Sequence, residues 1–181
     1  MKVPDRWTGI TMGGFSLTNR SGPDFPSDPV DGDIWFQAER KIEYYWDEAA
    51  GQWLSLQLFV LDFSARADAF PITETNANVV QAASPFAGQD DIWAMEATFA
   101  GYLNTAGDWT AEIAFVDGST RSVLASWTRV FGGTAQWTSS GPVAIGAVIA
   151  STAEIFQFGA TRNSGTAQFY GSAALKYRLI G

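Results

Sequence analysis

The stretch FYGSAALKYRL, residues Phe169–Leu179, alternates apolar and polar side chains along its length. Ser172, Lys176 and Arg178 occupy one face, and the apolar face carries Phe169, Gly171, Ala173, Leu175, Tyr177 and Leu179. Successive side chains of a strand point to opposite faces, so the pattern predicts a β-strand with one buried face. A slip of one residue would bury Lys176 and Arg178, and the register is therefore well specified.

The same period of two recurs from Asp91 onward, and turn signals such as Asp117-Gly118 and Gly132-Gly133 separate the segments. Regular short strands with turns between them predict an all-β fold rather than βαβ units. We expect residues 62–181 to form an antiparallel β-sandwich of the jelly-roll type, with an immunoglobulin-like sandwich as the alternative. The predicted core residues are Trp93, Phe99, Trp109, Ile113, Phe115, Phe169, Leu175, Tyr177 and Leu179.

Residues 1–61 have a different character. Residues 1–33 are rich in Gly, Pro and Asp-Gly turn formers without sustained periodicity, which indicates an irregular arm. Residues 34–36 (IWF) and 41–46 (KIEYYW) then predict an aromatic β-hairpin, and residues 53–61 (WLSLQLFVL) predict a third strand. We expect this region to serve attachment or oligomer contacts.

Composition excludes several classes of function. The chain has no Cys and no His, which removes thiolate nucleophiles, Ser-His-Asp chemistry and His- or Cys-ligated metal sites. A net charge of −8, with only 11 Lys and Arg, argues against nucleic acid as a partner. The longest apolar-leaning run, residues 142–150, is far shorter than a membrane span, so no membrane insertion is expected. We predict no cofactor.

Without His and Cys, any enzymatic chemistry would use carboxylate, Lys, Tyr or hydroxyl groups, and we consider the carboxylates first. An acidic stretch of Asp24, Asp28, Asp31 and Asp33 has oxygen ligands of the kind that Ca²⁺ takes, but lacks the Gly and distal Glu of an EF-hand. We therefore interpret it as turns and predict no metal. Two carboxylates such as Glu96 with Glu112, or Asp90-Asp91, could act as a glycosidase pair. Glu112 alternates with an apolar face and is expected to be solvated, so we predict no enzymatic activity.

Eight Trp residues suggest sugar stacking as a second function, because the faces of sugars pack on aromatic rings. Trp93 and Trp109 fall at apolar-periodic positions and are interpreted as core. Trp137 lies in the turn-rich stretch GGTAQWTSSGP and is the best exposed candidate for a glycan contact, although an interface or edge-packing role is favoured there.

The segment PSDPVDGDIWFQAERKIEYYWDEAAGQWLSL, residues 26–56, resembles a module common in tail fibres and other virion appendages of tailed phages. The module runs Pro, Asp-Gly-Asp, an aromatic strand, a short turn, an aromatic return strand and a closing Trp. Besides Pro29, the matching residues, which are also the candidate interface residues, are Asp31, Gly32, Asp33, Trp35, Phe36, Tyr44, Tyr45, Trp46 and Trp53.

The resemblance implies a non-enzymatic structural protein of the virion: a tail-fibre, head-fibre, baseplate or capsid-decoration subunit. It implies a homo-oligomer, with a trimer preferred, in contact with other virion proteins. The alternative is a carbohydrate-binding module or receptor-binding head that recognises host-surface glycans. A carboxylate glycosidase is the third hypothesis.

Overall fold

The structure is a computed structural model that describes residues 7–8, 18–64, 77–83, 90–103, 105–131, 136–153, 155–165 and 169–181. These residues form thirteen β-strands and no helix. Within these ranges, no helix has the length and hydropathy needed to cross a membrane. The all-β class predicted from the alternating pattern is confirmed.

The chain divides into two compact units. The first comprises Met1–Leu58 together with Arg178–Gly181, and the second comprises Phe59–Tyr177. The sequence placed a single boundary after residue 61, whereas the structure adds the four residues from Arg178 onward to the first unit.

The first unit holds one sheet of five strands in the order β1-β2-β3-β4-β5. Their bounds are β1 Trp7–Thr8, β2 Thr18–Gly22, β3 Ile34–Gln37, β4 Ile42–Asp47 and β5 Gln52–Ser55. The predicted hairpin is β3 and β4, which pair antiparallel. Strand β2 pairs in parallel with β3, so part of the segment expected to be an irregular arm is sheet. The expected strand over residues 53–61 is interrupted after Ser55, where Ser55 Oγ donates to Gln57 O at 2.8 Å in a turn.

The second unit holds eight strands. They are β6 Phe59–Ser64, β7 Ala77–Ala83, β8 Ile92–Leu103, β9 Gly107–Asp117, β10 Thr120–Phe131, β11 Gln136–Ile149, β12 Ile155–Gly165 and β13 Phe169–Leu179, whose last two residues belong to the first unit. One sheet has the order β10-β9-β12-β7 and the other has the order β11-β8-β13-β6.

This strand order is that of a jelly roll. When the eight strands are counted from β6, the sheets read 5-4-7-2 and 6-3-8-1, so only the β9–β10 connection stays within one sheet. An eight-stranded double sheet with such crossovers is the jelly-roll architecture, and it differs from the seven- or nine-stranded immunoglobulin arrangement. The first fold prediction is therefore confirmed over its alternative.

Aromatic side chains from both sheets meet in the core of the sandwich. Phe158 on β12 lies 6.5 Å, between ring centroids, from both Phe63 on β6 and Phe99 on β8. Trp109 on β9 stacks on Phe169 of β13 at 5.6 Å. Burying rings of this size removes a large apolar area from water and stabilises the two-layer arrangement.

Three of the predicted core positions are wrong. The alternation on β8 breaks at Met95 and Glu96, opposite a bulge in β11 where Gly146 takes a φ of +67°, so Trp93 lies half-buried on the outer face. Phe115 is half-buried because the alternation on β9 breaks at Ala114. There β10 has one extra residue, Leu124, between the paired residues Val123 and Ala125. Leu179 is buried, but in the first unit.

Candidate binding surfaces

The Asp-Gly-Asp turn fixes the entry into the hairpin of the first unit. Gly32 has a φ of +80°, a left-handed conformation that suits glycine. Asp33 closes a turn on Val30, since its backbone N–H donates to Val30 O at 2.9 Å and its Oδ2 accepts from Val30 N at 3.2 Å. Gly32 N donates to Trp46 O at 3.0 Å, and Trp46 N donates to Asp33 O at 2.8 Å. These bonds align the start of β3 with the end of β4.

The acidic residues near this turn hold the backbone. Asp31 Oδ1 accepts from the backbone N–H of Glu48 at 3.2 Å, which links the turn to the next hairpin. Asp28 accepts from the hydroxyl of Ser27 at 3.3 Å. Across the described part of the chain, no three acidic side chains come together in a way that suits a metal ion.

Some aromatic residues of the hairpin pack within their own unit. Tyr44 is fully buried and Trp53 nearly so. Phe25 meets the Tyr44 ring edge-on at 5.1 Å and stacks on Trp53 at 5.3 Å, while Trp46 meets Trp53 at 5.7 Å. Tyr44 and Trp53 are therefore unavailable to a partner while the unit is folded.

Other candidate interface residues keep part of their side chains exposed. Trp35, Phe36, Tyr45 and Trp46 are all half-buried. Trp35 covers Gly22, where an added Cβ would lie 2.8 Å from the indole. Burial is the main cause of a raised pKa at Tyr45; Arg178 opposes the shift.

A second candidate surface lies on the outer face of the sheet β11-β8-β13-β6. Trp137 on β11 is 55% exposed and is the register partner of Tyr102 on β8. Its ring centroid lies 5.8 Å from that of Tyr102, with the two planes inclined at 37°. Tyr170 on β13 continues the row at 6.0 Å from Tyr102, inclined at 59°. We call these three residues the aromatic strip.

The structure thus places Trp137 at the surface, as the sequence anticipated, but the rings are tilted rather than coplanar. Tyr102 and Tyr170 were missed. An aromatic residue at an outward-facing position of an alternating strand would have predicted them. Tyr102 lies between the inward-facing Gly101 and Leu103, and Tyr170 follows the buried Phe169.

The outer face of the other sheet carries a group of hydrogen-bonded polar side chains on β9, β10 and β12. The hydroxyls of Thr110 and Thr128 lie 2.9 Å apart, and Asn163 Nδ2 donates to Thr110 Oγ1 at 2.9 Å. Ser164 Oγ donates to Asp108 Oδ2 at 2.7 Å. These five side chains hydrogen-bond to one another, while Val130, two residues after Thr128 on β10, is 69% exposed.

The carboxylates considered for glycosidase chemistry have other partners in the structure. Glu96 lies on β8 and Glu112 on β9, which belong to different sheets. Lys176 Nζ lies 2.5 Å from Glu96 Oε1, and Arg121 Nη2 lies 3.1 Å from Glu112 Oε2. Asp91 Oδ1 instead accepts the backbone N–H of Ser151 at 2.7 Å.

No protein-family model and no curated protein sequence matches the chain. Among solved structures, the chain is similar to a chain in the structure of the infectious bursal disease virus Gx strain, with 13% identity and a TM-score of 0.41 over 94% of this chain. It is also similar to a chain in the structure of the Gt strain, with 12% identity and a TM-score of 0.41 over 93% of this chain. A third similar structure is the VP2 subviral particle of that virus, with 14% identity and a TM-score of 0.40 over 87% of this chain. The chain spans 41% of each of those chains.

Proposed function

We propose that this chain is a non-enzymatic structural subunit of a tailed-phage virion that displays its jelly roll on the particle surface. The observation that carries the proposal is the 5-4-7-2 and 6-3-8-1 strand order, because double-sheet jelly rolls are an architecture of viral capsid proteins. The resemblance of residues 26–56 to the hairpin module of phage appendages supports the tailed-phage assignment.

The first unit, which contains the β3–β4 hairpin, is the proposed region for attachment and oligomer contacts. A small sheet with short strands has little core, and it gains stability when its half-buried aromatics are covered. Trp35, Phe36 and Trp46 retain exposed area that another copy, or another virion protein, would cover. We propose a homotrimer, whose three-fold symmetry follows from the phage resemblance.

The proposed role requires no catalysis. The sequence supplies neither His nor Cys, and a carboxylate acid would need a raised pKa from burial or from a second carboxylate nearby. Glu96 and Glu112 instead lie on different sheets, and each forms an ion pair, Glu96 with Lys176 and Glu112 with Arg121. A polysaccharide-hydrolysis screen comparing the parent with Glu96→Gln and Glu112→Gln is expected to find no turnover. Turnover that is lost in either variant would establish the glycosidase hypothesis.

The virion role is tested on particles. Density-purified particles from a culture that produces the chain are analysed by mass spectrometry, and immunogold labelling locates the chain on their surface. We expect the chain at a fixed stoichiometry to the major capsid protein. Its absence from purified particles overturns the virion role.

Oligomeric state is a separate test. Light scattering after size exclusion should give three times the 19.6 kDa chain mass. Trp35→Ser and Trp46→Ser are expected to shift the mass toward the monomer, while the polar-face variant Thr128→Ala leaves it unchanged. A monomer at every concentration, in the absence of other virion proteins, contradicts the trimer.

A further inference from the structure

We infer that the aromatic strip of Trp137, Tyr102 and Tyr170 binds a neutral or weakly charged carbohydrate chain by stacking. The inference does not depend on the virion role, because jelly rolls also serve as lectin domains. It begins from exposure: the indole of Trp137, near the start of the edge strand β11, is 55% exposed and has apolar area that a ligand or partner would remove from water.

The geometry of the strip suits a chain of sugar rings. Its residues occupy three adjacent strands, β11, β8 and β13, so the strip crosses about 10 Å of sheet at the usual strand spacing. The centroid spacings of 5.8 and 6.0 Å place one ring after another across the strands. Inclinations of 37° and 59° give each ring its own orientation, so we expect the ligand to be a twisted or branched saccharide rather than a flat ribbon.

The surroundings of the strip also suit a sugar. The next outward pair along β11 and β8 is Ser139 with Ala100, and Ser172 follows Tyr170 along β13. These three side chains are small. The hydroxyls of Ser139 and Ser172, with those of the two Tyr residues, are donors and acceptors for sugar hydroxyls. A pyranose carries C–H groups on its faces, which are attracted to the negative face of an aromatic ring.

Charge separates a sugar from charged ligands. Along this face the described ionised groups include Asp62, the register partner of Ala174 on β13, and the pair Lys176 and Glu96, whose charged atoms lie 2.5 Å apart. The strip itself therefore offers no net charge to attract a polyanion, and the whole chain, at −8, repels one.

Area separates a sugar from a second copy of the chain. Given the size of aromatic side chains, the three partly covered rings expose at most roughly 300 Å². A stable protein–protein contact needs about 800 Å² on each partner. The strip alone is too small for that contact and matches a few sugar rings.

The test is a glycan array of bacterial surface polysaccharides and neutral oligosaccharides probed with the whole chain, followed by titration calorimetry on the best hit. We expect Trp137→Ala to weaken binding at least tenfold and Tyr102→Ala to weaken it severalfold. Trp137→Phe should retain part of the affinity because it keeps a ring. Trp93→Ala is the matched control, since Trp93 is a half-buried Trp on the same outer face but outside the strip, and it should leave affinity unchanged.

Three outcomes overturn the inference. They are no binding to any glycan on the array, binding that Trp137→Ala leaves intact in a folded variant, and a self-associated species that Trp137→Ala dissociates. The last result would show that a second copy occupies the strip. None of these outcomes bears on whether the chain is found in particles, so failure here and failure of the virion role are distinguishable.

Discussion

The guanidinium carbon of Arg178 lies 5.4 Å from the centre of the Tyr45 ring, on the ring's face. From this position Nη1 of Arg178 donates to the backbone oxygens of Ser55 and, at 2.7 Å, of Leu56. The neighbouring Leu179 N donates to Ser55 Oγ at 3.0 Å, and Gly181 N donates to Trp53 O at 2.9 Å. Residues far apart in the chain thus close the end of β5 in the first unit.

Arg178→Ala should destabilise the first unit by about 2 kcal/mol, because hydrogen bonds to a charged group contribute roughly 1.5–3 kcal/mol and a stacked cation adds to this. Hydrogen exchange measured by mass spectrometry on peptides covering residues 42–55 should show faster exchange in the variant. Arg121→Ala is the control. It removes the ion pair with Glu112 and the hydrogen bond from Nε to Gln157 Oε1, both in the second unit, so the exchange of residues 42–55 should stay as in the parent. Equal protection of residues 42–55 in the parent and Arg178→Ala would contradict the closing role.

The two hairpin turns of the first unit differ at one equivalent position. Each turn closes with an N–H four residues after its acceptor: Lys41 N donates to Gln37 O, and Gly51 N to Asp47 O, both at 2.8 Å. The closing residue is left-handed in both, with φ of 57° at Lys41 and 66° at Gly51. A residue with a Cβ pays roughly 1–2 kcal/mol for that conformation, whereas glycine does not.

Lys41→Gly should therefore stabilise the first unit by up to about 1 kcal/mol, after the extra chain entropy of glycine is subtracted. Gly51→Ala should destabilise it by about 1–2 kcal/mol. No atom lies within 4 Å of a Cβ built on Gly51, so the loss would come from the backbone and not from a clash. The stability of both variants is measured by urea unfolding, with hydrogen exchange of the first unit as the readout. Opposite signs of the two changes are required, and a loss on Lys41→Gly would exclude this account.

Sequence periodicity predicted the parts of the fold that depend on local alternation. β13 is read correctly at Phe169 and from Ala173 to Tyr177, where buried and half-buried positions alternate and the register with β6 has no shift. The alternation failed at Trp93 and Phe115, where extra residues in the neighbouring strands shift which side chains face inward. Such shifts belong to the pairing of two strands, so a single strand's sequence does not carry them.

The aromatic strip was only partly predictable for a related reason. Trp137 and Tyr102 are direct register partners although they are 35 positions apart, and Tyr170 is 33 positions after Trp137. The strand order that joins them comes from crossovers between the sheets. Turn residues predict that strands exist; they do not specify which strands become neighbours.

Truncation to Ala should lower the free energy of unfolding far more at Trp109 than at Trp137. Trp109 is 1% exposed, stacks on Phe169, and its Trp109→Ala variant should lose about 3–5 kcal/mol, as large-to-small core changes do. Trp137→Ala removes a largely exposed ring, and its loss should stay near 0.5 kcal/mol. Urea denaturation monitored by far-UV circular dichroism compares the two. A loss below about 1 kcal/mol for Trp109→Ala would place that residue outside the core.

Tyr177 should make the stability of the sandwich unit fall at high pH. Its ring is buried, stacks on Phe59 at 5.5 Å, and burial raises its pKa from 10.0 to about 12. Below pH 10 the hydroxyl is protonated in both the folded and the unfolded chain, so this contribution is constant. Between pH 10 and about 12 the unfolded chain ionises while the folded chain keeps its proton, so stability falls, and above that range the loss levels off.

Tyr177→Phe keeps the stacked ring and removes the ionisation. A pKa unit corresponds to about 1.4 kcal/mol, so the parent should lose roughly 2–3 kcal/mol relative to Tyr177→Phe across this range. Urea midpoints of both proteins at pH 9 and near pH 12 measure the difference, since every other titrating group is common to the pair. Tyr102→Phe, on the outer face, is the matched variant and should track the parent. If the free energies of unfolding of the parent and of Tyr177→Phe differ by the same amount at pH 9 and near pH 12, the ionisation of Tyr177 does not oppose the fold.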